Sequence, residues 1–249
     1  LVSPSVLATM IAAHIAEGDV FAALLAGSTR VAFANPLVRP ESLSGEAEVQ
    51  LLDAEGAELV LLWTDGAGAL YRRPESTQPV AGLDDTVRLE RARINLAHPL
   101  AVRKGPWVAR HAGLMLSAYL SAVAEGSMNL ATEYAKVRVQ FGQPIGAFQS
   151  IKHYCAEMAR RCEGAISQTY FATLDALSRN DDSMLEVAAA RLLAGEAATT
   201  NGRFCIQIHG GMGFTYEAEA HFYLKRAILL SQLASSKRLE QIRIMESDA

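Results

Sequence analysis

The sequence predicts an α+β chain, mainly α: a small β domain followed by a C-terminal four-helix bundle. Three observations carry that expectation. Short β-favouring runs broken by Gly, Pro and Asp fill residues 30 to 96, four long Ala- and Leu-rich stretches follow Gly105-Pro106, and apolar residues at helical spacing precede both.

In the first segment, residues 1–27, Val6, Met10, Ala13, Phe21 and Leu24 recur near the helical period. Ser3-Pro4 suits a helix start and Gly27 a stop, so two short helices broken near Gly18 are expected. Residues 28–104 carry the runs Val31-Ala-Phe33, Glu48-Val-Gln-Leu-Leu52, Glu58-Leu-Val-Leu-Leu-Trp63, Ala69-Leu-Tyr71 and Thr86-Val-Arg-Leu89. Their length and the turn residues between them predict a small, mostly antiparallel β module. From 105 to 249 helices are expected near 107–137, 147–178, 183–209 and 217–245, each bounded by Gly, Pro, Asn or Asp. Four helices of this length form a bundle by default.

With 249 residues, half of them hydrophobic, the chain can bury a sizeable core. A net charge of −4 and the lack of a dense Lys/Arg cluster leave no basic field for nucleic acid. The longest apolar runs, Val6 to Ala16 and Ala112 to Ala124, carry His14 and Tyr119 and fall short of a membrane span, and no signal-peptide pattern is read ahead of them. Cys155, Cys162 and Cys205 are odd in number and lack metal-ligand spacing, which suits reduced, structural thiols in a cytoplasm.

Two glycine-bearing helix junctions hold the chemistry. In Arg138-Val-Gln-Phe-Gly-Gln-Pro-Ile145, Gly142 can take positive φ and Pro144 cannot continue a helix, so Arg138 and Gln140 project at a sharp turn. An arginine so placed can hold a pyrophosphate in bidentate fashion. In Gln207-Ile-His-Gly-Gly-Met-Gly213, paired glycines admit close backbone approach to a ligand while Gln207 and free amides offer donors. Taken singly, each junction also reads as a plain helix-to-helix turn; the joint pattern is what argues for a site.

That joint pattern, Arg-x-Gln-Phe-Gly-x-Pro-Ile with Phe148-Gln149 and then Gln-x-x-Gly-Gly-x-Gly, resembles the C-terminal helical domain of the acyl-CoA dehydrogenase family. Leu25-Ala-Gly27 with Val31-Ala-Phe33 resembles the entry to the family's middle β domain, and Gly82-Leu-Asp through Leu96 its exit. The resemblance makes residues 1–27 a remnant of the N-terminal helical domain. In that family the bundle of one subunit reaches across an interface to hold the adenosine diphosphate end of a neighbour's FAD. The resemblance assigns that role to Arg138, Gln140, Phe141, Ile145, Phe148, Gln149, Gln207, Gly210 and Gly211.

The same resemblance implies a loss. α,β-Desaturation of an acyl-CoA thioester needs a carboxylate base facing the flavin across the substrate. The family's usual position for it corresponds to Ala234, in Leu233-Ala-Ser-Ser236, and its alternative position on the first bundle helix to Ala112. The Thr-Glu-Pro flavin and substrate loop corresponds to Ala34-Asn-Pro-Leu-Val-Arg39. Residues lent to a neighbour's flavin remain, while those of a subunit's own active site are absent. The resemblance is therefore to the non-catalytic subunit of bacterial heteromeric, α2β2 acyl-CoA dehydrogenases, a branch associated with CoA thioesters of sterol side chains. The expected partner is a second acyl-CoA dehydrogenase-like subunit that supplies the base and most of the acyl-CoA cleft. The alternatives are a flavin-free scaffold and a self-sufficient dehydrogenase with a relocated base. Glu125, Glu133, Glu217 and Glu219 read better as solvated or structural helix acids, His209 as a hydrogen-bonded structural histidine, and His153 with Glu157 lacks the further ligands of a metal site.

Overall fold

A computed structural model describes residues 4–38, 40, 42–178, 184–233 and 235–246. The chain divides into two compact units, Leu1–Ala112 and Gly113–Ala249.

In the first unit, α1 (Pro4–Ala12) opens with proline at its first described position, where a missing N–H costs nothing. Helix α2 (Gly18–Leu25) is followed by Gly27 at φ +69°. The expected helices are both present, but the face they bury differs from the apolar series read off the sequence. Ala8, Ile11, Ala12 and Leu24 are buried, whereas Val6, Met10 and Phe21 are exposed.

Seven strands follow: β1 (Val31–Pro36), β2 (Glu46–Leu52), β3 (Leu59–Trp63), β4 (Ala67–Arg72), β5 (Gln78–Val80), β6 (Leu89–Asn95) and β7 (Ala101–Lys104). They form one sheet in the order β5-β6-β2-β1-β3-β4-β7. Only the β1–β3 pair is parallel, with Val31 opposite Leu59 and Phe33 opposite Leu61. Central β3 is buried throughout and β2 alternates, as their compositions require. Val49, Leu51, Val60, Leu62, Tyr71, Ile94 and Leu96 lie in its core.

The second unit takes α3 (Trp107–Val137) from Gly113 onward, then α4 (Gln149–Ser178), α5 (Leu185–His209), α6 (Ala220–Gln232) and α7 (Lys237–Glu246). The last expected helix is broken between Leu233 and Ser236. Ser236 Oγ accepts the Leu239 amide at 3.3 Å, so a serine N-cap starts a new helix rather than continuing the old one.

Helix α5 packs against α4, α6 and α7. At its middle, buried Asn201 donates from Nδ2 to the Met158 carbonyl at 3.0 Å and to Cys162 Sγ at 3.2 Å, fixing α5 on α4. Gly202 lets α5 touch the backbone of α6, since a Cβ there would lie 2.9 Å from Leu224 Cα. Among the described residues no helix is long and apolar enough to cross a membrane.

Candidate cofactor cleft

Helix α3 ends where Tyr134 accepts the Arg138 amide at 2.9 Å. The chain then makes a hairpin of two short strands, β8 (Val139–Gln140) and β9 (Gln143–Pro144), with Gln140 opposite Gln143. Its tip, Phe141-Gly142, has φ values of +52° and +80°, the paired left-handed residues that a two-residue hairpin demands. The Ile145 amide closes the loop on the Arg138 carbonyl at 2.8 Å. A 3₁₀ turn (Ile145–Ala147) leads into α4, and Gly146 fits it under α3, because a Cβ there would sit 2.9 Å from the Ala135 carbonyl oxygen.

At the end of α5, Gly210 turns the chain with φ +61° into a second 3₁₀ turn (Gly210–Phe214). Gly213 is packed so closely that a Cβ would lie 2.5 Å from the Ile206 carbonyl oxygen. His209 is buried, its ring stacked on Tyr134 at 4.1 Å, and its Nδ1–H donates to the Cys205 carbonyl at 2.7 Å. The carbonyl can only accept, so that nitrogen carries the proton.

These two junctions flank one open cleft of roughly 630 Å³. Arg138, Gln140, Phe141, Ile145, Phe148, Gln207, Gly210 and Gly211 all line it. Gln149 is not part of the lining; it lies on exposed α4 surface, with Nε2 3.0 Å from His153 Nε2. Tyr134, Ser150, Ile151, Ile208, His209 and Met212 complete the lining. Tyr134 had a signal in the sequence, since it stands one turn before Arg138 on the same helix face.

Among the described residues Arg138 has no ion-pair partner, so its charge is uncommitted. Phe141 is 91% exposed and meets the Phe148 ring edge-on at 6.0 Å. Gly211 lines the cleft with ordinary φ, and a Cβ on it would meet nothing of this chain within 4 Å. The chain's own packing therefore gives no reason for glycine there, whereas a ligand lying against the backbone would. A free guanidinium, two amide side chains, an aromatic wall and a bare backbone fit a nucleotide diphosphate.

At the other positions singled out, Ala112 is fully buried in α3, and Ala34, Asn35 and Pro36 belong to β1. Ala234 and Arg39 lie outside the described residues. Glu133 is paired with Lys136 at 2.6 Å and Glu157 with Arg160 at 3.0 Å, on exposed helix surface. Cys162 and Cys205 are buried, and burial pushes their thiols up to about 11 and about 12.

A family model described as "Acyl-CoA dehydrogenase, C-terminal domain" matches residues 108–234, just over half of the chain. The chain is 37% identical over 198 residues to the acyl-CoA dehydrogenase IpdE2 of Mycobacterium tuberculosis, covering 80% of this chain and 59% of that protein. It is 39% identical over 157 residues to the acyl-CoA dehydrogenase FadE34 of the same organism, covering 60% of this chain and 21% of the relative. The chain thus spans less than two thirds of either curated relative. Among solved structures, butyryl-CoA dehydrogenase from Megasphaera elsdenii has a TM-score of 0.77 at 16% identity, covering 98% of this chain and 76% of that one. The Tcur3481-Tcur3483 steroid ACAD, solved as a variant, has a TM-score of 0.78 at 19% identity, covering 98% and 74%. Members of the matched family are FAD-dependent flavoproteins. The solved structures share the fold, and the family model over the helical unit that builds the cleft places this chain in the acyl-CoA dehydrogenase family.

Proposed function

We propose that this chain is a subunit of an FAD-dependent acyl-CoA dehydrogenase that clamps the adenosine diphosphate part of FAD at a subunit interface, while a second acyl-CoA dehydrogenase-like subunit supplies the catalytic base. The observation that carries this reading is the gathering of eight of the nine assigned residues around one cleft whose cation is uncommitted. The missing carboxylate supports the division of labour: Ala112 and Ala234 stand at the two positions the family uses for its base.

In this reading the Arg138 guanidinium grips diphosphate oxygens in bidentate fashion and the Gln140 and Gln207 amides fix the direction of the nucleotide. Exposed Phe141, steadied by Phe148, offers a flat apolar wall, and Gly210 and Gly211 let the ligand lie against bare backbone. Bound FAD supplies the hydride acceptor for desaturation of the acyl-CoA. The proton leaves to a carboxylate of the partner. We place the complex in the cytoplasm, as an α2β2 heterotetramer acting on CoA thioesters of sterol side chains; the fold neighbour described as a steroid ACAD supports that substrate class.

The test is flavin retention by the complex purified with a coexpressed dehydrogenase-like partner. Replacing Arg138→Ala removes a charge-assisted bond pair and should weaken FAD binding about tenfold or more. Unchanged flavin content in that variant would remove the clamp from the account.

A further inference from the structure

His209 closes α5 with its two ring nitrogens in different situations. The residue is 7% exposed, its ring stacks on Tyr134 at 4.1 Å, and its Nδ1–H donates to the Cys205 carbonyl at 2.7 Å. That bond accounts for Nδ1 alone. Nε2 meets no hydrogen-bond partner among the described residues, yet it is not one of the nitrogens sealed in the interior without a partner. Both His209 and Tyr134 line the cleft, so the cleft is the space onto which Nε2 opens.

With the proton on Nδ1, Nε2 of the neutral ring carries a lone pair and can only accept. The other polar side chains of the lining behave differently. Arg138 can only donate, while the amides of Gln140 and Gln207 and the hydroxyls of Tyr134 and Ser150 can turn either way. His209 cannot turn, because the Cys205 bond fixes one edge of the ring and the Tyr134 stack fixes its plane. An acceptor held in this way loses no rotamer freedom on binding. It also selects a ligand that brings a donor, since a ligand without one leaves a desolvated nitrogen unpaired.

A diphosphate brings acceptors only. In the adenosine diphosphate end of FAD the donors are the adenine amine and the ribose hydroxyls. Arg138 and His209 Nε2 thus make complementary demands on different parts of one ligand. We infer, on the footing of the clamp proposed above, that His209 is a specificity-determining residue of this cleft, whose Nε2 accepts a hydrogen bond from the adenosine, from either the adenine amine or a ribose hydroxyl.

Titration of the flavin-stripped complex with FAD at about pH 8, where imidazole is neutral, tests this through the quenching of flavin fluorescence. His209→Asn keeps an amide donor for the Cys205 carbonyl but places no acceptor at Nε2, and should weaken FAD binding about tenfold. His209→Gln reaches that point with its amide oxygen and should restore most of the affinity. Discrimination between ligands is the deciding readout. An FAD analogue with unsubstituted purine in place of adenine lacks the amine, and analogues with a 2′- or 3′-deoxyribose in the adenosine lack one hydroxyl each. The wild type should bind one of these about tenfold more weakly than FAD, and that preference should vanish in His209→Asn; the analogue concerned identifies the donor. A side chain that only supports the fold would weaken FAD and every analogue alike, so equal loss for all of them overturns the assignment, as does a preference that survives His209→Asn. If His209→Asn fails to fold, His209→Phe, which keeps the stack on Tyr134, takes its place. Arg138→Ala separates this inference from the clamp. If that variant loses flavin while His209→Asn discriminates like the wild type, the clamp stands and the role of His209 fails; if Arg138→Ala retains flavin fully, the clamp fails and the role of His209 falls with it.

Discussion

Phe141 combines two costs that a residue serving only its own fold would avoid: a left-handed backbone at φ +52° and a large apolar side chain left 91% exposed. The backbone cost is of the order of 1–2 kcal/mol, and neither cost is offset by the single edge contact with Phe148. Such a residue points to something outside the chain. His111 shows the opposite economy. Its Nδ1–H is bonded to the Trp107 carbonyl at 2.8 Å, and its ring stacks on Trp107 at 3.8 Å. Burial lowers its pKa below the ordinary 6.5, with Arg110, His14 and Arg103 acting in the same direction, and these outweigh the raising effect of the carbonyl bond. The unfolded chain then binds the proton more readily, so stability is held above pH 6.5 and falls as pH drops through that value toward the lowered one. Thermal midpoints measured from about pH 7.5 to about 5.5 should decline more steeply for the wild type than for His111→Gln. Parallel slopes would assign the acid sensitivity to other groups.

At the scale of elements, the glycine loop after α5 offers a clean separation of folding from binding. Gly213→Ala forces a Cβ to within 2.5 Å of the Ile206 carbonyl oxygen and should destabilise the chain by about 1–3 kcal/mol. Gly211→Ala meets nothing within 4 Å and should leave the thermal midpoint unchanged while reducing FAD retention by the complex. If both variants melt like the wild type and hold flavin equally, the loop is only a turn. The motif was readable because glycine and proline leave few backbone options, and so was the Phe141-Gly142 hairpin tip, although not that a phenylalanine would share the positive φ. Less was readable where exposed and buried residues mix. In β6 the charged residues Glu90, Arg91 and Arg93 hide the alternation of buried Ala92 and Ile94, so the strand was expected earlier, at 86–89. Edge strands β5, with Pro79 and a single Val80, and short β7, with Ala101-Val102 before two cations, carry too short an apolar pattern to read as strands, as sheet edges need little. The α6–α7 break followed from a serine cap that competes with a helix-favouring composition, and Gln149 fell outside the cleft because its side chain turns to exposed His153, whereas Ser150 and Ile151 of the same turn line it.

For the molecule as a whole, the decisive quantity is how many flavins the assembly holds for each chain. In the proposed division of labour, this chain clamps only the nucleotide end, carries alanine where the resemblance places the family's base, and completes a site only together with an unlike subunit. The purified complex should therefore contain one flavin for each pair of unlike chains, and this chain expressed alone should be colourless. Visible absorbance set against protein concentration gives the ratio, and anaerobic addition of an acyl-CoA should bleach all of the bound flavin in the complex. A ratio of one flavin per chain would mean that this chain builds a complete site of its own, and bleaching of the chain alone would direct attention to a relocated base. A colourless complex would leave the uncommitted charge of Arg138 and the bare backbone at Gly211 without a ligand, and the scaffold reading would then account for the fold but not for the cleft.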